Sequence, residues 1–148
     1  MTTKSFRGKI ANEGTDTISL RTNTGSTGYR ITKFQIIPAA PGTVAQETIC
    51  KIFKIPQTGT PDGTIDFSDN TLLAAAYYQD SASAGDNQAT TVIFDNEKFN
   101  QDIFITGVDV TGNAAPINYY IELEQFKLSL DENTVATLKD IRNIKSNE

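Results

Sequence analysis

The feature that most constrains this chain is the repetition of short runs in which apolar and polar residues alternate, separated by clusters of turn-forming residues. A period of two is that of a β-strand whose two faces meet different surroundings. In residues 47–55, for example, Ile49 and Phe53 share one face. Turn clusters such as residues 61–63, Pro-Asp-Gly, recur at intervals of roughly 8–15 residues, a spacing typical of all-β sandwiches and barrels.

The alternation predicts about eight strands. Residues 29–37 change their apolar face midway, which predicts a β-bulge or a strand buried on both sides near its end. Residues 72–78 are apolar throughout, and we interpret them as a buried strand, with an Ala-rich helical turn as the alternative. The predicted extended segments are residues 17–21, 29–37, 47–55, 65–67, 72–78, 90–94, 102–110 and 117–128.

The strand count indicates an all-β fold, an antiparallel β-sandwich with a jelly-roll-like arrangement. An immunoglobulin-like sandwich is the main competitor, because strand order does not follow from the sequence. The length of 148 residues fits one domain. We divide the chain into an N-terminal arm (1–8), a sandwich (9–128) and a C-terminal helix and tail (129–148).

The C-terminal segment carries the signals of one short α-helix. Ser129 and Glu132 have the spacing of a capping box, and Asp131 is an alternative N-cap. Leu138 and Arg142 lie on or beside a narrow apolar stripe. Such a helix has to dock to be stable, either on its own sandwich or on a neighbouring subunit. Leu138 and Arg142 are therefore candidate interface residues.

The composition excludes several classes of enzyme. The sequence has no His, no Trp and a single Cys, so it cannot form a Ser-His-Asp or Cys-His catalytic site, a His-based zinc site or an intrachain disulfide. Cys50 lies in an apolar run and is expected to be a packed side chain. We predict a protein that is not an enzyme and that uses no cofactor.

Carboxylates are the remaining acid–base groups, and they cluster in residues 66–69 and 95–97. A glycosidase needs two carboxyl groups about 5–10 Å apart across a cleft, and nothing in the spacing sets two of them opposite each other. Residues 62–66 form an oxygen-rich loop that could hold Ca²⁺, but the EF-hand spacing is absent. We expect these side chains to cap turns by accepting hydrogen bonds from their own backbone, with no metal bound.

Charge and hydropathy limit the classes of binding partner that we expect. The formal net charge is −5, without a block of basic residues, so nucleic acid is not an expected partner. The longest apolar run, residues 72–78, falls short of the roughly 20 residues of a membrane helix. The N-terminus lacks the apolar segment of a secretory signal. Neither membrane insertion nor secretion is expected.

Aromatic residues supply the other candidate contacts. Each of the two Tyr-Tyr pairs, at 77–78 and 119–120, must direct one ring to each face of its strand. Tyr78 and Tyr120 are the candidates for an interface, or for a platform that binds a host glycan. In the N-terminal arm, Phe6 and Arg7 are candidate anchors on a partner. The alternative is that Phe6 begins the first core strand.

Several segments resemble small virion structural proteins of marine tailed bacteriophages, from about Tyr29 onward. Their motifs are structural, and no catalytic residue is among them. The segments are FQIIP (34–38), PGTV (41–44), GTIDFSD (63–69), IFDNE (93–97), FNQDI (99–103), NYYIELE (118–124) and TVATLKDIR (134–142).

This resemblance implies a jelly-roll-like subunit of a phage particle, assembled in the host cytoplasm. The expected role is a capsid decoration or minor capsid protein that binds the major capsid protein or other virion proteins, as a homo-oligomer. A tail, baseplate or fibre component is the alternative, and a carbohydrate-binding β-sandwich module is a third possibility.

Overall fold

The computed structural model describes residues 2–22, 25–81, 87–94 and 97–129, and it is all-β within these ranges. All strand pairs are antiparallel, and the all-β prediction is confirmed. The strands are β1 (Thr2–Ile10), β2 (Gly14–Ile18), β3 (Thr27–Pro38), β4 (Gln46–Phe53), β5 (Leu72–Asp80), β6 (Gln88–Ile93), β7 (Ile103–Asp109) and β8 (Ile117–Lys127).

The strands form two sheets, a three-stranded sheet in the order β1-β8-β3 and a five-stranded sheet in the order β2-β7-β4-β5-β6. β1 pairs with β8, β2 with β7 and β4 with β5, so that along the sequence each pair is enclosed by the one before it. This is the pairing of a long hairpin that is folded over into two layers. Continuing the nesting would pair β3 with β6, but β6 pairs with β5 instead. The arrangement is a jelly-roll-like sandwich, and its order differs from that of an immunoglobulin sandwich.

The core lies between the two sheets and consists mainly of β-branched and leucine side chains. These residues suit strands because a branched side chain packs well on a pleated surface. Their inward positions follow the alternation in the sequence. The most deeply buried side chains, with no more than 1 % of their surface exposed, include Ile52, Ile103, Ile105, Ile117, Ile121 and Leu123.

The predicted irregularity in β3 is a β-bulge. The register with β8 shifts between Ile31 and Lys33. One extra residue at this point inverts the alternation, so that Ile31 before the bulge and Phe34 after it both face the core and are buried. The bulge explains why the apolar face of this segment changes sides in the sequence.

Three segments differ from the predictions, the first being β2, which spans Gly14–Ile18 rather than residues 17–21. The structure places residues 2–8 in β1 rather than in a separate arm, because β1 pairs with β8 from Thr2 to Ile10 and covers what would otherwise be an open edge. Residues 65–67 are not a strand. They belong to the β4–β5 connection, residues 54–71, which contains no strand or helix and packs on the outer face of the five-stranded sheet.

The C-terminal helix prediction lies outside the described residues, apart from the exposed Ser129. The same holds for its two candidate interface residues, Leu138 and Arg142. Residues 72–78, by contrast, are described, and they form most of β5, as predicted.

Candidate interface surface

The outer face of the three-stranded sheet, here called the β8 face, is centred on Tyr120. This residue lies directly between Arg7 of β1 and Gln35 of β3 in the strand register. Successive side chains on a strand point to opposite sides, so Tyr119 is buried in the core while Tyr120 faces outward. The prediction that the two rings separate in this way is confirmed.

Charges on the β8 face are arranged by strand. Glu122 of β8 stands between Ser5 of β1 and Lys33 of β3. In the adjacent row, the guanidinium of Arg30 forms an ion pair with the carboxylate of Glu124. An acidic central strand therefore lies between two basic ones, and the Arg30–Glu124 pair balances one charge of each sign.

Tyr120 is held in place by two contacts. Its hydroxyl donates a hydrogen bond to Glu122 Oε1 at 2.7 Å, and Lys33 Nζ lies 5.9 Å from the ring centroid. The bond to Glu122 raises the pKa of Tyr120, since the carboxylate stabilises the protonated phenol. These contacts favour one orientation of the ring.

Ile37 gives the β8 face an apolar end. It is 58 % exposed, and its direct partner on β8 is Asn118. The sequence contains a signal for this exposed side chain that the predictions did not use. Ile36 and Ile37 are adjacent on one strand, so one of the two has to face outward. Ile36 is the buried one.

Of the four predicted interface residues that the structure describes, it brings together Arg7 and Tyr120. Phe6 is half-buried against the core, in one row with Ile121 and Phe34. The alternative that Phe6 belongs to a core strand is therefore confirmed. Tyr78 is also half-buried and packs against the core cluster. Its ring consequently offers no open platform.

A second group of exposed apolar side chains lies on the opposite side of the molecule. Phe67 is 57 % exposed and Ile65 is 38 % exposed, both in the β4–β5 connection. The ring of Phe67 packs edge-on against Phe94, with 5.2 Å between the centroids. This contact fixes the connection to the end of β6 and leaves one side of Phe67 open.

The acidic residues of the β4–β5 connection cap turns, as predicted. Asp66 Oδ1 accepts a hydrogen bond from the Ser68 backbone N–H at 2.9 Å, and the bonds from Ser68 lower the pKa of Asp66. Asp69 accepts from the Thr71 N–H in the same way, and Asp62 from that of Thr64. Within the described ranges, there is no cluster of three or more acidic or thiol side chains that could hold a metal ion.

Cys50 is a core residue. It is fully buried on β4, between Ala76 of β5 and Gly107 of β7. Burial raises the pKa of its thiol to about 12, so the thiol stays protonated at neutral pH. The prediction of a packed, unreactive side chain is confirmed.

Comparison of the sequence with protein families and curated proteins does not assign the chain to a family. No protein-family model matches the sequence, and no curated protein is significantly similar to it. The part of the chain that the structure describes also contains no helix long and apolar enough to cross a bilayer.

Proposed function

We propose that this protein is a non-enzymatic structural subunit of a tailed-bacteriophage virion. Its role would be that of a capsid decoration or minor capsid protein, which binds neighbouring shell subunits and stabilises them. The observation that carries the proposal is the Arg7–Tyr120–Gln35 row on the outer face of a jelly-roll-like sandwich. The resemblance of segments from about Tyr29 onward to phage virion proteins points the same way.

The composition of the β8 face suits protein binding. Tyr and Arg are enriched at the centres of protein interfaces, where they supply most of the binding energy. Tyr120 is already fixed by Glu122 and Lys33, so binding would cost little side-chain entropy. Ile37 adds an exposed apolar anchor at one end.

The dimensions of the face indicate what else the contact has to include. β8 has 11 residues, which at about 3.3 Å per residue gives a face about 36 Å long. Three strands spaced about 4.8 Å apart make it about 14 Å wide, or on the order of 500 Å². A standard interface buries roughly 800 Å² on each partner. We therefore expect the edge of β1 to take part as well.

Other features support a role without catalysis. The sequence has no His, and its one thiol is buried in the core. Asp62, Asp66 and Asp69 are engaged in turn capping. A tail, baseplate or fibre subunit would use the same kind of surface, and its position in the particle distinguishes it from a shell protein.

Binding of a host glycan has less support from the geometry. Tyr78 packs against the core, and the ring of Tyr120 is approached by Lys33. Stacking of a sugar on Tyr120 would have to displace that ammonium group.

Co-sedimentation tests the proposal. Purified protein is mixed with particles of the phage that encodes it, from which the native copy has been removed, and centrifuged through a density gradient. We expect the wild type to sediment with the particles at a fixed stoichiometry, and Tyr120→Ala and Arg7→Glu to bind at least about tenfold more weakly. Thr15→Glu, on the exposed face of β2 in the other sheet, is the matched control and should bind normally. Wild-type protein that stays at the top of the gradient would overturn the proposal.

A further inference from the structure

A cavity of about 130 Å³ lies between the β4–β5 connection and the outer face of the five-stranded sheet. Irregular connections this long are uncommon in compact domains and usually have a function. This one is held in a defined shape by its turn-capping aspartates, Asp62, Asp66 and Asp69. The cavity is therefore preformed, as ligand sites usually are.

One wall of the cavity carries a buried positive charge. The side chain of Lys51, on β4, is only 10 % exposed. Its Nζ donates to the Thr64 carbonyl oxygen at 2.7 Å and forms a longer ion pair, at 3.4 Å, with Asp62 Oδ1. An ammonium group has three hydrogens to donate. Besides these two oxygens, the described residues offer it the ring of Phe53, whose centroid lies 5.6 Å from Nζ.

A buried hydroxyl without a partner lies beside that charge. Thr106 of β7 is 2 % exposed, and among the described residues its Oγ1 has no hydrogen-bond partner. Thr106 is the direct partner of Lys51 across the two strands, so both side chains point to the same face and both line the cavity. Native structures seldom leave a buried hydroxyl unsatisfied, and such a group indicates something that binds there.

We propose that this cavity is a binding site for a small carboxylate, with Lys51 Nζ and Thr106 Oγ1 donating to the carboxylate oxygens. A cavity of roughly 150 Å³ holds a benzene molecule, so the ligand has only a few heavy atoms. Phe53 and Pro61 also line the cavity and suit a short aliphatic portion. A monoanion fits one lysine better than a phosphate dianion does, because no arginine lines the site.

Asp62 competes with the ligand for Lys51. Its side chain is 73 % exposed, so water can solvate its carboxylate while that carboxylate keeps its turn-capping bond from the Thr64 N–H and the ligand takes its place at Lys51. Removing its charge while keeping its shape, as in Asp62→Asn, should therefore tighten binding. The proposal concerns the isolated chain and does not depend on whether the protein joins a particle.

Titration followed by ¹⁵N–¹H correlation spectra of the full chain tests this site. Sodium acetate is the probe, with sodium chloride at matched ionic strength as the reference. We expect saturable shifts of the amides of residues 58–60, Asp62 and Thr106, and about fivefold weaker binding in the isosteric variant Thr106→Val. Lys51→Met should abolish the shifts, and Asp62→Asn should lower the dissociation constant.

Three results would overturn the proposal. The first is a set of shifts that grow linearly and equally with acetate and chloride. The second is unchanged affinity in Thr106→Val, which decides the matter even where Lys51→Met does not fold. The third is tighter binding of sodium phosphate than of acetate, which would contradict a carboxylate site.

Discussion

Tyr119 Oη donates a hydrogen bond to Asp16 Oδ2 at 2.9 Å, and this bond joins the two sheets of the sandwich. Tyr119 belongs to β8 and Asp16 to β2, so the contact links strands that share no backbone hydrogen bonds. Burial, and then the bond to Asp16, raise the pKa of Tyr119. Gly8 of β1 lies directly opposite Tyr119 and leaves room for its ring.

Removing this hydroxyl should destabilise the sandwich. We expect Tyr119→Phe to lower the free energy of unfolding by about 1–2 kcal/mol, because Asp16 loses a donor in a partly buried setting. Urea denaturation followed by circular dichroism measures the change. Tyr120→Phe is the matched control, because its hydroxyl lies on the outer face, and it should lose less. Equal losses in the two variants would contradict the inter-sheet role of Tyr119.

Gly8 is predicted to tolerate no side chain. A Cβ there would lie 2.7 Å from Tyr119 Oη and 2.9 Å from two ring carbons. Because Asp16 holds that ring, we expect Gly8→Ala to cost about 1–3 kcal/mol in urea denaturation. Lys9→Ala, at the next and exposed position of β1, should change little. In a Tyr119→Leu background the cost of Gly8→Ala should shrink, and a constant cost would show that the ring is not its cause.

The sequence predicted best what depends on neighbouring residues. Alternation identified the inward and outward tyrosines at 119 and 120 and the changed face in β3. Turn chemistry identified the capping role of Asp66. Each of these features depends on local geometry. The pairing of β1 was not predictable in this way. Its residues are mostly polar, and its partner β8 lies at the far end of the described chain.

The buried lysines show a second limit. Lys51 and Lys54 are only 8 % and 6 % exposed. Lys51 points to the outer face of its sheet, and in a simple two-layer sandwich it would lie in water. Lys51 is covered because the β4–β5 connection forms a partial third layer over the five-stranded sheet. An irregular segment has no periodicity, so the sequence pattern could not reveal what it covers. The cavity was missed for the same reason.

Lys54 has one carboxylate partner among the described residues, and stability should depend on that pair. Its Nζ lies 2.7 Å from Glu97 Oε1, and the Lys54 side chain is only 5 % exposed. Breaking a fully buried pair costs about 3–5 kcal/mol, but the Glu97 side chain is 30 % exposed. We therefore expect Glu97→Gln to cost about 1–3 kcal/mol in thermal or urea denaturation.

A surface ion pair provides the comparison. Arg21 Nε lies 3.4 Å from Asp102 Oδ2, and the Arg21 side chain is 73 % exposed. Arg21→Ala should stay within about 0.5 kcal/mol of the wild type. If Glu97→Gln were as mild as Arg21→Ala, the buried ammonium of Lys54 would have to find another partner.

Asp109 should make stability depend on pH in the acid range. Burial alone raises the pKa of Asp109, but hydrogen bonds from the backbone of Ala115, Thr111 and Glu47 and from the Thr111 hydroxyl outweigh it, so the pKa lies below its ordinary value. A depressed pKa in the folded state contributes stability above the unfolded-state pKa, near 3.9. That stability is lost as the pH falls through the folded-state pKa.

The matching variant is Asp109→Asn, which keeps one acceptor oxygen and loses the charge. We expect it to unfold more easily than the wild type at pH 7, by about 2 kcal/mol. Urea denaturation at several pH values should show this difference shrinking as the pH falls below about 4, because the Asp109 carboxylate takes up a proton in the unfolded wild type before it does so in the folded one. A difference that stays constant down to pH 2 would contradict the role of the ionised carboxylate.

The central claim is that this sandwich acts by binding other virion proteins through the β8 face. An electron cryomicroscopy reconstruction of the purified phage particle tests it most directly, because it records the neighbours of every subunit. We predict density for the two-sheet sandwich at symmetry-related positions on the shell, with Arg7 and Tyr120 against an adjoining subunit. Particles that lack the chain altogether, or that leave the β8 face entirely in solvent, would contradict the account.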